Sequence, residues 1–427
     1  MHLSRTPVIT PVGELVYVDV IAAVKELVAS EIYHLATPSF DRFHLLTFIL
    51  DSAGITKKGQ GIGSSSTPII LVPSSIRCLS SSTAAAILVG LTNVTDKDHL
   101  DLRAVMAPII EAFKELDGMT LPCPHTGEML PCRCRIALDG AAWLMVANTK
   151  GCAADVGKFA HSTASTADIN DPTLHIPSTV GVEIGEMTEE IHKGKSTEQR
   201  KAAAGDTGGS MGRTLFFTAA YDIRRGSLHL LLTPTGWLWT LTCATLSEHG
   251  YLAEGGDFVL YLRSEFGLDV ERIVTREHGP FLKILGGHGG RMLLMRNARL
   301  FVTGRRDDRW GGTEHAAYDV CLMLAEVWKV LHFLVDLVRT NHLPKFKAEL
   351  PQMAMKAQQL MELCKIVFGK YTPYLSSFSN IVLHHCWEAY DMDRTYNNLF
   401  DDSTVEMLHY ELAELGIGYG GGKLKNS

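Results

Sequence analysis

Two stretches decide the fold: Leu45–Asp51, LLTFILD, and Cys134–Asp139, CRIALD. Each is a short run of aliphatic and other strand-forming residues, and each stops on an aspartate. A strand that is apolar on both faces belongs in the middle of a covered sheet, so a carboxylate at its end sits at the rim rather than in the core. Between the two lie further strand-like runs at Pro68–Val72 and Ala85–Thr92. An amphipathic stretch follows at about Leu102–Leu116, with Val105, Ile109, Ile110 and Phe113 on one face. A Gly- and Ser-rich segment, Gly54–Ser66, separates the first two strands, and Ala141–Ala147 reads as the start of a helix. The order strand, strand, strand, helix, strand, helix requires hairpins and one crossover, which makes the strands ending at Asp51 and Asp139 neighbours in a mixed sheet.

Ribonuclease-H-like folds are built this way, and the expected class is α/β: an RNase H-like mixed-sheet core with a large, mostly helical insertion and C-terminal helices. Working outward, a helix is expected at about Glu14–Leu35, with Val18, Ile21, Ala22, Val28 and Ile32 at helical spacing. Ser162–Gly212 loses apolar periodicity and reads as loops, and GGHGG at Gly286–Gly290 reads as a second breaker. Helical periodicity returns at Glu314–Thr340 and Pro351–Phe368, and the tail GIGYGGGKLKNS is expected to fray. The domain expectation is a helical segment over 1–40 and the first part of the core over 41–160. A mostly helical insertion with a basic strip then spans 161–380, and a C-terminal helix completes the core over 381–427.

With 427 residues, 46% of them hydrophobic and 20% charged, the chain can bury a large core and is neither disordered nor fibrous. Lys and Arg number 40 against 47 Asp and Glu, so net charge does not advertise nucleic acid, and any such contact must be local. Nine cysteines, an odd number, argue against a secreted disulfide scaffold. The start MHLSRTPVIT lacks the basic-then-apolar pattern of a leader. The apolar run near Val327–Val338 is interrupted by Lys329, His332 and Asp336, short of the roughly 20 residues that span a bilayer. The expectation is an intracellular protein with no membrane partner.

Two strand-end carboxylates can hold a pair of Mg²⁺ or Mn²⁺ ions about 3.5–4 Å apart for phosphodiester chemistry, because hard cations take oxygen ligands. Aspartate also ends strands as a turn or cap residue, and Asp139-Gly140 is a common turn dipeptide. A third acid is offered by Asp401-Asp402-Ser403-Thr404-Val405-Glu406, in which Ser403 or Thr404 would cap a helix with Glu406 in its first turn. A first-turn Glu equally complements the helix dipole.

The run from DSAGITKKG at Asp51, through TPIILV, AAILVGLT and APIIEAFKELDGM to CRIALDGAAWLMVANTKGCAAD, resembles the catalytic core of eukaryotic DDE-type DNA transposases. Asp139, Ala142, Lys150, Gly151 and Cys152 stand where those proteins carry Asp-x-x-Ala and Lys-Gly-x-x-G-C segments. The resemblance covers roughly residues 45–425. It implies that Asp51, Asp139 and Glu406 are a catalytic, metal-binding triad for Mg²⁺ or Mn²⁺. It also implies that DNA is the partner of a cleavage and strand-transfer reaction, and that the protein works in the nucleus. TPYLSSFSNIVLHHCWEAYDMDRTYNNLFDDSTVEMLHY would be the approach to the third acid. The chain departs from the family where Cys152 is followed by Ala153, Ala154 and Asp155 instead of a Cys-x-x-Cys zinc pair, and where the first motif reads Asp-Ser-Ala-Gly. A divergent or domesticated copy fits these departures.

Other groups bear on chemistry. Cys123, His125, Cys132 and Cys134 are four ligand-type residues within CPHTGEMLPCRC, a zinc alternative to ordinary thiols, although their spacing is not that of common zinc modules. His384, His385 and Cys386 with Glu388 are another cluster, but adjacent residues on a helix point apart. Lys283, Arg291, Arg296, Arg299, Arg305, Arg306 and Arg309 set seven basic residues against Asp307 and Asp308, a strip that could follow a phosphate backbone or be solvated surface. LGGHGGR lacks the spacing of a dinucleotide or Walker loop, and no Gly-x-Ser-x-Gly elbow is present. The alternative function is a non-catalytic nucleic-acid-binding or structural, capsid-like protein, with helices from Glu314 to Phe368 forming a homo-oligomer interface.

Overall fold

The computed structural model describes residues 5–36, 42–50, 53–55, 64–73, 86–94, 99–138, 146–148, 182–204, 210–216, 223–249, 252, 258–275, 279–285, 287–303, 315–369, 375, 378–379 and 381–403. The chain divides into two units, one of 1–166, 176–227 and 391–427, the other of 167–175 and 228–390. It is mixed α/β.

The first unit opens with a hairpin rather than the helix expected from Glu14. β1 (Arg5–Thr10) and β2 (Gly13–Val18) pair antiparallel. The Thr10 hydroxyl donates to the Gly13 carbonyl at 2.9 Å and accepts from its N–H at 3.1 Å, which closes the turn. Val16-Tyr17-Val18 is β-branched and aromatic, so pairing with a sheet outcompetes the helical spacing that its apolar residues also satisfy. The helix starts later: Asp19 caps α1 (Val20–Val28) by accepting from the Ala22 N–H at 2.9 Å, and the Ser30 hydroxyl caps α2 (Glu31–Ala36).

β3 (His44–Leu50) is buried along its whole length. β4 (Ala53–Ile55) and β3 both pair antiparallel with β5 (Ser64–Pro73), which pairs antiparallel with β6 (Ile87–Thr92). The expected crossover is two helices, α3 (His99–Val105) and α4 (Ala107–Leu116), because Pro108 at the start of α4 has no N–H to continue the ladder. β7 (Thr120–Pro122) then leads into β8 (Met129–Leu138), which lies parallel to β3 from His44↔Cys132 to Leu50↔Leu138. After α5 (Val182–Ile191) and α6 (Thr197–Ala203), β9 (Ile223–Arg225) adds parallel to β8. Among the described residues the sheet has nine strands and runs β1-β2-β6-β5-β3-β8-β7, with β9 also on β8 and β4 on β5.

Side-chain alternation sorts β3 between two faces. Leu46, Phe48 and Leu50 join the core formed with Val24 and Leu27 of α1 and Ile109 and Phe113 of α4, where Phe48 meets Phe113 edge-on at 5.1 Å between centroids. His44 is buried at the strand's start. The Leu121 carbonyl can only accept, so His44 Nε2 donates to it at 3.2 Å and Nδ1 accepts from the Tyr33 hydroxyl at 2.8 Å.

Helices α5 and α6 are tied down by a partly buried ion cluster that no sequence pattern announced. Glu189 lies 3.1 Å from Arg103 and 3.0 Å from Arg200, and accepts from the Arg213 N–H at 3.2 Å. Burial alone would push its carboxyl up, but these hydrogen bonds and the Arg103 charge bring it down to about 2. Helices α5 and α6 thus fall in the first unit, with the sheet.

In that second unit α7 (Ser227–Glu248), all but its first residue, is followed by α8 (Phe258–Phe266) and a hairpin of β10 (Val270–Thr275) and β11 (Gly279–Ile284). The Trp239 indole donates to the Leu282 carbonyl at 2.6 Å, satisfying a buried N–H. The glycines expected to break the chain instead open α9 (Gly287–Thr303), because a helix's first turn needs no interior propensity. α10 (His315–Arg339) matches the expected Glu314–Thr340 helix, and its Trp328 donates to Thr242 at 3.0 Å. α11 (Leu343–Glu349), a 3₁₀ turn at Leu350–Gln352, α12 (Met353–Phe368) and α13 (Ile381–Asp391) complete it. Among the described residues no helix is long and apolar enough to cross a membrane. The chain then returns to the first unit in α14 (Tyr396–Phe400).

Candidate active site at the parallel strand ends

Three parallel strands end level with one another. Leu50 of β3 is the register partner of Leu138 of β8, which in turn pairs with Arg225 of β9. The Gly226 N–H donates to the Leu138 carbonyl at 2.8 Å, extending the last ladder by one bond. Asp51 and Asp139 are the next residues after Leu50 and Leu138 in the sequence. Both lie outside the described residues, as does Glu406.

The segment that approaches Glu406 packs on this same sheet. Thr395 caps α14 through the Asn398 N–H at 3.1 Å, which fixes the short helix's entry. From it the Tyr396 hydroxyl donates to the Arg225 carbonyl at 2.6 Å, and Asn397 Oδ1 accepts from the Ser227 hydroxyl at 2.5 Å. The Leu399 carbonyl accepts from the Thr47 hydroxyl at 3.1 Å, on the face of β3 opposite Phe48. The Arg224 guanidinium stands 5.8 Å from the Phe400 ring centre. Just beyond, Asp401 accepts from the Ser403 N–H at 3.0 Å and from its hydroxyl at 2.5 Å, the local loop its side chain favours. Asp402 is 2% exposed, and its carboxylate lies directly against Gly226, where any Cβ would overlap it. Asp402 read in the sequence only as a lead-in to Glu406. The signal for it is a glycine directly after a short strand, and that became legible only once β9 was located.

The zinc candidates are divided by their surroundings. Cys132 and Cys134 lie buried on β8, in the core cluster. Burial and the Asp117 charge push Cys132 up to about 11 and Cys134 well above the ordinary thiol value, which disfavours the thiolate that zinc needs. Cys123 sits in the turn between β7 and β8. Burial raises its thiol, yet hydrogen bonds from the Thr126 side chain and from the His125 and Thr126 backbone bring it below the ordinary value. The His125 ring lies 4.5 Å from that of His34. Among the described residues no three His, Cys, Asp or Glu side chains are grouped to hold a metal ion.

The basic strip is also divided. Lys283 on β11 and Arg296 on α9 are exposed, whereas Arg291 donates to the Leu232 carbonyl at 2.9 Å and is held below its ordinary value by burial. The side chain of Arg299, and Arg305, Arg306 and Arg309, fall outside the described residues. No protein-family model and no curated protein matches this chain.

Proposed function

We propose that the protein is a DDE-type transposase or recombinase-like enzyme with an RNase H-like core, cleaving and joining DNA phosphodiesters with Mg²⁺ or Mn²⁺. The observation that carries the reading is the parallel register Leu50↔Leu138, because each of these residues is followed at once by an aspartate. Antiparallel β3, β5 and β6, a helical crossover, then β8 and β9 parallel to β3 is the strand plan expected of that core. The return of the chain at Asp391, after the helical unit, supports bringing Glu406 to the same edge.

Carboxylates following level parallel strands are hard oxygen donors, so the donor set fits Mg²⁺ or Mn²⁺ rather than zinc. In this reading Asp51, Asp139 and Glu406 hold the ions, which when bound supply charge stabilisation to the attacking and leaving oxygens of an in-line displacement. In this reading the protein's own part is orientation: β3 and β8 run parallel and in register up to Leu50 and Leu138, the residues before the two aspartates, and the hydrogen bonds of Tyr396, Asn397 and the Leu399 carbonyl fix α14, the segment before Glu406, on the sheet. DNA is the proposed partner and the nucleus the proposed location, with exposed Lys283 and Arg296 as candidate phosphate contacts.

The test is nicking of end-labelled DNA with Mn²⁺ by the wild type and Asp139→Asn. Activity in the wild type and its loss in the variant is the expected result. Equal activity in both assigns the nicking elsewhere, and a folded wild type without activity favours the degenerate, non-catalytic form.

A further inference from the structure

The glycines of LGGHGGR follow a strand and open a helix: β11 ends at Ile284, and α9 begins at Gly287. A Cβ on Gly290 would overlap the Leu285 carbonyl, so the helix's start closes tightly on the strand's end. At Gly289 nothing lies within 4 Å of where a Cβ would stand, so this side of the turn is open. The N–H groups of residues 287–289 have no carbonyl within the helix to bond, and they carry the positive end of its dipole. Two side chains add to this. Arg291 is half-buried and donates to the Leu232 carbonyl at 2.9 Å, and among the described residues no carboxylate pairs with it. Asp269, whose carbonyl accepts from the Leu285 N–H at 2.8 Å, gives its carboxylate to Arg263 at 3.5 Å instead. Thr235 is fully buried, and among the described residues its hydroxyl has no hydrogen-bond partner. On α7, residues 232, 235, 236 and 239 share one face by helical spacing. That face meets β11 and α9: the Leu232 carbonyl takes Arg291, Gly236 lies beside the same guanidinium, and the Trp239 indole donates to Leu282. The Thr235 hydroxyl is thereby turned towards the junction of β11 and α9.

We propose that this junction binds a phosphate group, held by the first-turn N–H groups of α9, the Arg291 guanidinium and the Thr235 hydroxyl. Phosphate oxygens accept from backbone N–H groups at a helix start. The guanidinium nitrogens not used on Leu232 are further donors in a planar fork that suits two of those oxygens. A buried hydroxyl without an acceptor gains one in the third, which removes the cost of leaving it unbonded. The site lies within the second unit and uses none of Asp51, Asp139 or Glu406. A nucleotide's terminal phosphate and a nucleic acid's backbone phosphate share this chemistry.

The experiment titrates inorganic phosphate into the full chain by isothermal calorimetry at low ionic strength, with the phosphate-dependent rise in thermal midpoint as the second readout. Wild type, Gly289→Asp, Thr235→Val and Arg291→Lys are compared, with circular dichroism checking each fold. Gly289→Asp sets a carboxylate in open space at the helix's start, where it suits the dipole. Its phosphate-free midpoint should therefore hold, while phosphate affinity falls about tenfold or more through like-charge repulsion. Thr235→Val keeps the side chain's shape, removes only a hydroxyl that has no partner, and is expected to weaken phosphate about fivefold. Arg291→Lys keeps the charge but not the fork, and should also bind more weakly. No binding by the wild type, or wild-type affinity in any of these variants that folds, overturns the site. Competition then identifies what carries the phosphate. Displacement of inorganic phosphate by adenosine 5′-monophosphate supports a terminal phosphate, and displacement by a short unphosphorylated oligodeoxynucleotide supports a backbone phosphate. Displacement by neither overturns the site as one for phosphate esters.

Discussion

The Thr47 hydroxyl donates to the Leu399 carbonyl at 3.1 Å, joining the middle of β3 to a residue 352 positions further along the chain. Every residue of the helical unit lies between these two in sequence, and still the chain comes back to cover the face of β3 that Phe48 does not. A candidate site at the end of β3 therefore depends on a segment far from it in sequence.

Thr47→Val keeps the side chain's shape but removes the donor, leaving a buried carbonyl unsatisfied. A loss of about 1–2 kcal/mol is expected in urea denaturation. Amide exchange should quicken within Tyr396–Phe400 and not in α1. Uniform change across the protein would mean that Thr47 does not anchor this segment.

Gly226→Ala places a methyl where the Asp402 carboxylate lies. Overpacking of this kind costs about 1–3 kcal/mol. Most of that cost should vanish in Gly226→Ala/Asp402→Ala measured without metal, because the two residues compete for one space. Additive losses in the double variant would show that they do not touch.

Glu189 makes stability fall in acid. Its carboxyl is lowered from 4.5 to about 2 in the folded protein, so its contribution is complete above pH 4.5 and is lost as the pH drops from there towards 2. A shift of that size corresponds to about 3 kcal/mol, and the side chain is only 14% exposed, so little of this is screened. Glu189→Gln should remove most of it at pH 7 and flatten the acid limb of a denaturation-versus-pH curve. A variant with the wild-type acid limb would assign the acid sensitivity to other groups.

Thiol reactivity should separate the cysteines of the Thr120–Leu138 hairpin. Iodoacetamide on the native protein, read by peptide mass spectrometry, is expected to modify Cys123 before Cys132 and Cys134, whose thiols burial holds in the neutral form. Elemental analysis should find no zinc retained by these residues. Stoichiometric zinc lost on Cys132→Ala would contradict that.

Several elements were legible because their signal is local. β3, β5, β6 and β8 announce themselves as short aliphatic runs, and α10 as an apolar stripe at helical spacing. The neighbour relation of β3 and β8 followed from the rule that a helical crossover joins parallel strands. The N-terminal hairpin escaped because Leu15, Val16 and Val18 satisfy both a helical and an alternating pattern, and only a sheet partner chooses between them. β7 and β9 are three residues each, too short to show any period. The glycines of α9 mislead because their penalty applies to helix interiors, and a first turn escapes it.

The sequence by itself determined the apolar strands, the long helices and the aspartates that follow two of those strands, because backbone propensity and burial act over a few neighbouring residues. Only the tertiary structure decided that Leu50, Leu138 and Arg225 end level, that Glu189 is enclosed by three arginines, and that Asp402 lies on Gly226. Those facts depend on contacts between residues tens to hundreds of positions apart. Such contacts arise from packing and hydrogen-bond satisfaction across the whole sheet, and no local window of sequence contains both partners.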